Sequence, residues 1–322
     1  MSPGFRLDAE AATAVVGLCR LVDGLPLAVE LAAGWVRLMD CPAILREAEQ
    51  NLAFLTTNLA DVPARHRSLH AIFHQTWTML APHLRDLLAR AALFPSDFSL
   101  AALQGIAPAA TMLDVATLLD KSLLRRNAAN HYQLHPLLKQ FVTAETDPPP
   151  AWRQQFSRFY LHTAAQRQAD LHGRTPQHAM RQMRRDQTNM RQAWRWAADH
   201  ALWAEMAAAL PALSRFHQMA GLFAEAVTGL SAALAALPQE GETAVFRTQL
   251  HLKVAHFRGQ QGQYAQAIAA AEAALALAEA QADSTLQAQA EASIGEWRRH
   301  QGRFEEAAKW LKTAVSHFQA TS

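Results

Sequence analysis

A motif that occurs three times in the second half of this 322-residue chain constrains its fold most strongly. A glycine is followed two positions later by an aromatic residue and, after three more positions, by an alanine; the glycines are Gly221, Gly262 and Gly302, at intervals of 41 and 40 residues. Glycine permits a tight turn between two helices, the aromatic residue fills the gap between them, and alanine allows close helix crossing. The motif therefore predicts a stack of helical hairpins.

This spacing resembles the tetratricopeptide repeat, although its period exceeds the usual ~34 residues. A generic alanine-rich bundle is the alternative, but it does not explain the repeated spacing. In such arrays the first helix of each pair lines a concave groove that binds a protein, a peptide or a small ligand. The array ends soon after the third copy with no obvious polar capping helix, which predicts either a truncated chain or a stack that continues against another chain. The residues predicted to project into the groove are His251, Arg258, Arg298 and Arg299.

Composition and charge indicate a globular protein of the cytoplasm. Half of the residues are hydrophobic and 18% are charged, and the net charge of +2 provides no strong field for nucleic acid or an anionic membrane. The two cysteines, Cys19 and Cys41, make no disulfide framework, which favours a reducing compartment. The N-terminus lacks a signal pattern, and the longest apolar stretch is interrupted by Glu30 and Arg37, so no membrane span is expected.

The chain order predicts a mainly α fold with three parts. Residues 1–60 form a small helical domain that contains "GLPLA", with helices starting after Asp8, at Pro26 and at Cys41. Residues 61–145 form a winged-helix domain, because several helices precede two short strands, "SLLRRN" and "HYQLH". A proline linker over 146–150 leads to a helical region over 151–322 that carries the tetratricopeptide-like repeats as an α-solenoid.

Four motifs, "LCRLVDGLPLAVELAAGWVRL", "RHRSLHAIFHQTWTML", "LLDKSLLRR" and "YQLHPLLKQF", resemble the part that follows the ATPase core in STAND-class signal-transduction ATPases. These are bacterial relatives of the NB-ARC proteins and include AfsR-like and MalT-like transcriptional regulators. "RRDQTNMRQAWRWA" resembles a segment that often follows their winged helix. The resemblance covers nearly the whole chain in the right order, and it implies a helical domain, a winged helix and a repeat sensor.

The resemblance also implies two nucleotide contacts. The proline of the Gly-x-Pro turn packs on adenine in this family, and here that residue is Pro26. The wing carries a Met-His-Asp-like motif whose histidine bonds the β-phosphate of ADP, and by position it is His135. Leu134 stands for the methionine and Pro136 for the aspartate, and Pro136 can still open the following helix.

The phosphate-binding machinery of that family is missing from these 322 residues. There is no G-x-x-x-x-G-K-[ST] loop and no apolar strand that ends in acidic residues for Mg²⁺. No Ser-His-Asp elbow, carboxylate pair or Cys-His arrangement suggests another catalytic site. We therefore predict no enzyme activity, and no bound cofactor unless another segment or chain supplies the phosphate loop for ADP or ATP.

Three further patterns have alternative interpretations. Histidines 66, 70 and 74 recur on one helix face at a spacing that zinc could use, but solvated or capping histidines are favoured over a metal site. The helix "TMLDVATLLDKS" offers only Lys121 for DNA contact, offset by two aspartates, while Arg125 and Arg126 lie on the wing; DNA binding is disfavoured. The arginine-rich segment around Trp194 could form a nucleic-acid patch, but a packed helix with an apolar stripe is favoured.

The sequence thus predicts a non-catalytic regulatory part of a STAND-type signalling ATPase that senses or docks a partner through its repeats. Two alternatives stay open. One is half of a split ATPase or transcriptional regulator, which contacts nucleotide only when an ATPase-domain chain provides the phosphate loop. The other is a winged-helix DNA-binding regulator.

Overall fold

The computed structural model describes residues 8–22, 26–50, 69–238 and 243–321. The chain divides into two compact units, Met1–Trp152 and Arg153–Ser322. Nearly all regular structure is helical, and the described part contains one sheet, of two antiparallel strands. The predicted mainly α fold is confirmed. Within the described residues, no helix is both long and apolar enough to cross a bilayer.

The first unit begins with the three predicted helices. Asp8 caps the first, accepting a hydrogen bond from the Ala11 N–H at 2.8 Å, and Asp40 accepts one from the Ala43 N–H at 2.8 Å at the start of the third. A 3-10 turn, Trp35–Arg37, follows the second helix. The helices are α1 Ala9–Leu21, α2 Pro26–Gly34 and α3 Cys41–Gln50.

The rest of this unit consists of five helices around a short hairpin. Ser99 caps α6, and Thr111 forms a reciprocal capping box with Asp114 at the start of α7. Leu88, Leu103 and Phe141 from three of these helices are almost completely buried. The elements are α4 Leu69–Met79, α5 Pro82–Ala91, α6 Leu100–Ile106, α7 Met112–Asp120, β1 Arg125–Arg126, β2 Tyr132–Gln133 and α8 Pro136–Glu145.

The wing hairpin is shorter than the sequence pattern suggests, because the Asn127 side chain ends the ladder after two residues per strand. Its Oδ1 accepts hydrogen bonds from the N–H groups of Ala129 and His131 at 2.9 and 3.0 Å. Phe98 lies on the other side of β2, and its backbone N–H and carbonyl both bond Tyr132, at 2.9 and 2.8 Å. The second strand is therefore paired on both edges.

The second unit contains three helical hairpins preceded by a long amphipathic helix. On that helix Met183, Met190, Trp194 and Ala197 are buried, whereas its arginines 181, 184, 185, 191 and 195 are exposed, which confirms the predicted packed stripe. The helices are α9 Pro150–Gln166, which starts in the first unit, α10 Gln168–His172, α11 Gln177–Asp199, α12 Trp203–Ala220, α13 Phe223–Ala236, α14 Ala244–Gln260, α15 Tyr264–Ala280, α16 Ser284–His300 and α17 Phe304–Thr321.

The three motif glycines are the turn residues of these hairpins. Gly221, Gly262 and Gly302 have φ values of 69°, 75° and 78°, in the left-handed region that a residue with a Cβ adopts only with strain. Each aromatic residue two positions later begins the second helix of its hairpin. The periodic glycine therefore marks the turn, and the pairs are α12–α13, α14–α15 and α16–α17.

Candidate interaction surface of the helical repeats

The aromatic residues of the first two motifs contact the next hairpin, which corrects the expectation that they fill the gap inside their own. The ring of Phe223 on α13 lies 6.2 Å from that of Phe257 on α14. One repeat later, Tyr264 on α15 stacks at 6.3 Å on Trp297 of α16. Both contacts connect the second helix of one hairpin to the first helix of the following one. These rings therefore stabilise the stacking of repeats.

A glycine inside α14 provides the space for Trp297. A Cβ atom at Gly259 would lie 2.4 Å from the indole ring, closer than real Cβ contacts. Trp297 is 2% exposed and belongs to a cluster of buried apolar residues that α14, α15 and α16 share. This contact was not predicted from the sequence, because a lone glycine within a helix usually only weakens the helix. One sequence feature could have indicated it. Gly259 occupies the position that Arg299 occupies forty residues later, and the hairpin that follows Gly259 carries Trp297.

Two predicted groove arginines occupy equivalent positions on α14 and α16 and bond side chains of their own hairpins. Arg258 donates to Oε1 of Gln266 at 2.8 Å. Arg298 lies between two carboxylates, 3.3 Å from Glu272 of the preceding hairpin and 3.6 Å from Glu306 of its own. Its side chain is 19% exposed. Arg298 is thus an inter-repeat connector as well as a first-helix residue.

The other two predicted groove residues differ in their surroundings. His251 on α14 is half-buried, and its pKa is lowered by burial and, to a smaller extent, by the Arg247 guanidinium. Arg299 on α16 is exposed, with Nη2 3.3 Å from Nε2 of His300. The structure places all four predicted residues on first helices, two on α14 and two on α16. Arg299 is the most accessible of them.

A pocket lined by α11, α12, α13 and α14 was not anticipated from the sequence. Trp194 and Phe257 contribute to its wall, and Ser214 and His217 add polar atoms from α12. The Ser214 hydroxyl is buried and has no hydrogen-bond partner among the described residues. The His217 ring bonds the Leu213 carbonyl at 2.7 Å. Apolar periodicity hides such a site, because these residues also satisfy the pattern of a core helix.

Burial of histidines makes the stability of the second unit depend on pH. Burial lowers the pKa of His217, against weaker opposing effects of the Leu213 carbonyl and Glu225. Burial and the nearby Lys253 lower the pKa of His256, and Glu296 opposes them weakly. Because the unfolded chain then binds protons more readily, the buried neutral histidines contribute their full stabilisation above the ordinary histidine pKa of about 6.5. This contribution is lost as the pH falls below that value. The urea midpoint should therefore be lower at about pH 5.5 than at pH 7.5.

Far-UV circular dichroism at the two pH values would measure this change. The decrease should be smaller in His217→Gln, because that variant has no imidazole to protonate at the buried position. A midpoint that stays constant, or that falls equally in the variant, would contradict the assignment to His217.

The structure brings His135 close to the end of α1, where the Val22 carbonyl lies. His135 caps α8, since its Nδ1 accepts a hydrogen bond from the Leu137 N–H at 3.1 Å, which places the proton of the neutral ring on Nε2. Burial lowers the pKa of His135, and the nearby Val22 carbonyl partly opposes this. Nε2 is buried without a hydrogen bond of good geometry in the described structure. Pro26 is the first residue of α2, and its side chain lies outside the described part.

The next residues are the possible metal ligands on α4 and the possible DNA contacts on α7 and the hairpin. His74 is exposed on α4, while His66 and the side chain of His70 lie outside the described residues. Within the described chain no group of three potential metal ligands is present. On α7, Asp114 is engaged in the capping box and lies 3.3 Å from His83. On the wing, Arg126 donates to Asn130 at 2.8 Å.

The hairpin geometry and the glycine turns define the end of the chain as a helical-repeat array, and residues 246–320 match the tetratricopeptide repeat family. A stretch of 130 residues is 33% identical to a protein named "putative HTH-type transcriptional regulator" in Mycobacterium bovis and to its counterpart in Mycobacterium tuberculosis. The match covers 38% of this chain and 15% of those relatives.

A solved structure was also found, the STAND protein with a tetratricopeptide repeat sensor from Pyrococcus horikoshii. It is 14% identical over 89% of this chain and 58% of its own, with a TM-score of 0.28. Tetratricopeptide repeats generally bind other proteins, so the array indicates a role in protein interaction and regulation.

Proposed function

We propose that this chain is the regulatory part of a STAND-type signalling ATPase of the AfsR-like or MalT-like kind, and that its repeats bind a protein or peptide. The match of residues 246–320 to the tetratricopeptide repeat family supports the binding role of the repeats, and the motifs that resemble STAND proteins support the rest of the proposal. In it, residues 1–60 are a small helical domain, 61–145 a winged-helix domain and 146–150 a linker. The chain performs no catalysis itself, and it works in the cytoplasm.

The partner contacts the concave side of the array through the first helices. His251, Arg258, Arg298 and Arg299 contribute to this surface, and the three arginines give it its positive charge. Arg299 is exposed, and Arg258 is half-buried with one Nη on Gln266. Arginine donors in a fixed orientation suit carboxylate groups, so an acidic peptide segment is the ligand that we assign to this side.

Affinity capture with charge-reversed chains tests this assignment. Each chain would be immobilised and exposed to lysate of its source organism. The wild-type chain should retain proteins that the double variant Arg258→Glu/Arg299→Glu does not retain. The matched control is Arg181→Glu with Arg184→Glu, which reverses two exposed arginines on α11 instead. Equal retention by the first-helix variant and the wild-type chain would refute the groove assignment.

The proximity of His135 to Val22 favours a second candidate function, contact with nucleotide when another chain supplies the phosphate loop. Pro26 would then meet adenine and His135 the β-phosphate of ADP. The chain alone should show no measurable affinity for fluorescent ADP. A mixture with the ATPase-domain chain should bind ADP more tightly than that chain does alone, and His135→Ala should remove the difference. A mixture that binds no better than the ATPase-domain chain would refute this function.

A further inference from the structure

The pocket lined by α11, α12, α13 and α14 has an apolar end. The Trp194 indole N–H donates to the carbonyl of Gly229 on α13 at 3.1 Å, one residue before Leu230. Leu210 of α12 also lines the pocket and lies, like Leu230, well away from the turn that joins α12 to α13. Trp194, Leu210 and Leu230 are all buried. An apolar group of a ligand is therefore favoured at this end.

The other end of the pocket is polar and lies nearer to the turn between α12 and α13. Gln187 of α11 donates to a carboxylate oxygen of Glu225 at 2.8 Å, which fixes this carboxylate in the wall. Nδ1 of His217 donates to the Leu213 carbonyl at 2.7 Å, so Nε2 of the neutral ring is an acceptor. Burial lowers the pKa of His217 and thereby favours the neutral ring.

The Ser214 hydroxyl adds a third acceptor, and it has no hydrogen-bond partner in the described part of the chain. Ser214 precedes His217 by three residues, so the two side chains share one face of α12. It is 8% exposed, and a buried hydroxyl that bonds nothing costs free energy. A primary ammonium group has three N–H donors, one for each of the acceptors on Ser214, His217 and Glu225.

A positive charge accompanies these acceptors. Arg191 follows Gln187 by about one helical turn on α11, lines the same pocket and is exposed, so it lies where the pocket meets solvent. Within the described residues its guanidinium pairs with no carboxylate, Glu225 included. The pocket thus offers a carboxylate to an ammonium group and a guanidinium to a carboxylate group. A free α-amino acid carries this pair of charges.

The size of the cavity limits the side chain of such a ligand. Its volume is about 60 Å³, which is room for about four water-sized groups. The isobutyl side chain of leucine has four carbon atoms, whereas the indole ring of tryptophan has nine heavy atoms. The apolar wall favours an aliphatic group over a polar group of the same size.

We propose that this pocket binds a free amino acid whose aliphatic side chain has about the size of that of leucine. The ammonium group donates to Glu225, His217 and Ser214. The carboxylate contacts Arg191, and the side chain lies against Trp194 at the apolar end. This site is separate from the first-helix surface to which a peptide is assigned, so either assignment can fail without the other.

Isothermal titration calorimetry of the full 322-residue chain with L-leucine and two analogues tests the two charges. Isoamylamine lacks the carboxylate and 4-methylpentanoate lacks the ammonium group, whereas both keep the isobutyl group. L-Leucine should bind at one site, and each analogue should bind at least about tenfold more weakly, because each loses charge-assisted contacts. L-Tryptophan should not compete, because its side chain exceeds the cavity.

Two variants that remove a charge assign each contact. Arg191→Gln should weaken the binding of L-leucine about tenfold and leave that of isoamylamine unchanged. Glu225→Gln should weaken L-leucine by a similar factor and leave 4-methylpentanoate unchanged. Arg195→Gln is the matched control, since it makes the same change at an exposed arginine of α11 outside the pocket lining, and it should bind L-leucine as the wild-type chain does.

Gly229→Ala narrows the apolar end and leaves the fold intact. The added methyl group would lie 3.8 Å from the Trp194 indole, an ordinary van der Waals distance. Because it occupies room that the isobutyl group needs, the variant should lose about tenfold in affinity for L-leucine relative to L-alanine. Its circular dichroism spectrum and urea midpoint should show that it is folded.

Several results would overturn the proposal. They are absence of L-leucine binding, an analogue that binds as tightly as L-leucine, and equal binding of L-leucine by Arg191→Gln and Arg195→Gln. A folded Gly229→Ala chain with the wild-type preference for L-leucine over L-alanine would show that the side chain lies elsewhere, and would overturn it as well. None of these results bears on the capture of partner proteins by the first helices.

Discussion

Replacing Trp297 with alanine is expected to lower the free energy of unfolding by about 3–5 kcal/mol, the range for a buried large aromatic side chain. The indole is 2% exposed, stacks on Tyr264 at 6.3 Å and joins the apolar cluster that three helices share. Its loss leaves a cavity between the second and third hairpins. Urea denaturation followed by far-UV circular dichroism would measure the change. Phe304→Ala, at a 67% exposed aromatic position, should alter stability by no more than about 0.5 kcal/mol.

The Gly259→Ala variant tests whether the Trp297 ring packs directly against Gly259, as distinct from the general effect of removing a tryptophan. In the wild-type chain the added methyl group would lie 2.4 Å from the Trp297 ring and should destabilise the array. In the Trp297→Ala background that ring is absent, so the same change should stabilise α14 by up to about 1 kcal/mol through helix propensity. If Gly259→Ala has the same effect in both backgrounds, the tryptophan does not occupy the space at the glycine.

The local elements of this fold could be predicted because single residues specify them. Asp8 begins α1 as an N-cap, and Pro82 opens α5 at a position where its missing N–H has no cost. The repeated glycines predicted the hairpin turns, since few other residues tolerate a positive φ. These features depend on residues that are close together in the chain, so the sequence alone predicts them.

The contacts between hairpins could not be predicted in the same way. The sequence indicated that the motif aromatics pack in the array, but the choice between the same hairpin and the next one depends on how the helices cross. For the same reason Arg298 was expected in a groove, whereas the structure also places it between Glu272 and Glu306. A side chain as long as arginine reaches several neighbours, and only the packed arrangement selects among them.

The candidate nucleotide contacts were predicted from the family resemblance and not from local sequence patterns. The family resemblance suggested Pro26 and His135 as a pair, although 108 intervening positions separate them in the sequence. The structure adds that His135 lies near the Val22 carbonyl, at the end of the helix that precedes the Gly-x-Pro segment. A nucleotide would bind there only with a phosphate-binding loop, which these 322 residues do not contain.

Replacing Phe98 with alanine is expected to destabilise the wing by about 3–5 kcal/mol. Phe98 is 1% exposed, stacks on Phe94 at 4.1 Å and lies 6.3 Å from the ring of Tyr132. Sequence patterning gave no sign of this role, since Phe98 lies in the loop before α6 and pairs with β2 as an isolated bridge. With only two residues in each strand, the hairpin depends on this packing more than on its own ladder.

Hydrogen exchange locates the effect of Phe98→Ala within the molecule. The Tyr132 N–H donates to the Phe98 carbonyl at 2.8 Å, so its exchange rate reports directly on the pairing between these two segments. Exchange at Tyr132 should accelerate strongly in Phe98→Ala and stay unchanged in Met112→Ala, a variant at a 56% exposed apolar residue of α7. If the two variants exchange alike at Tyr132, the wing is held by its hairpin turn instead, and Phe98 only fills space beneath it.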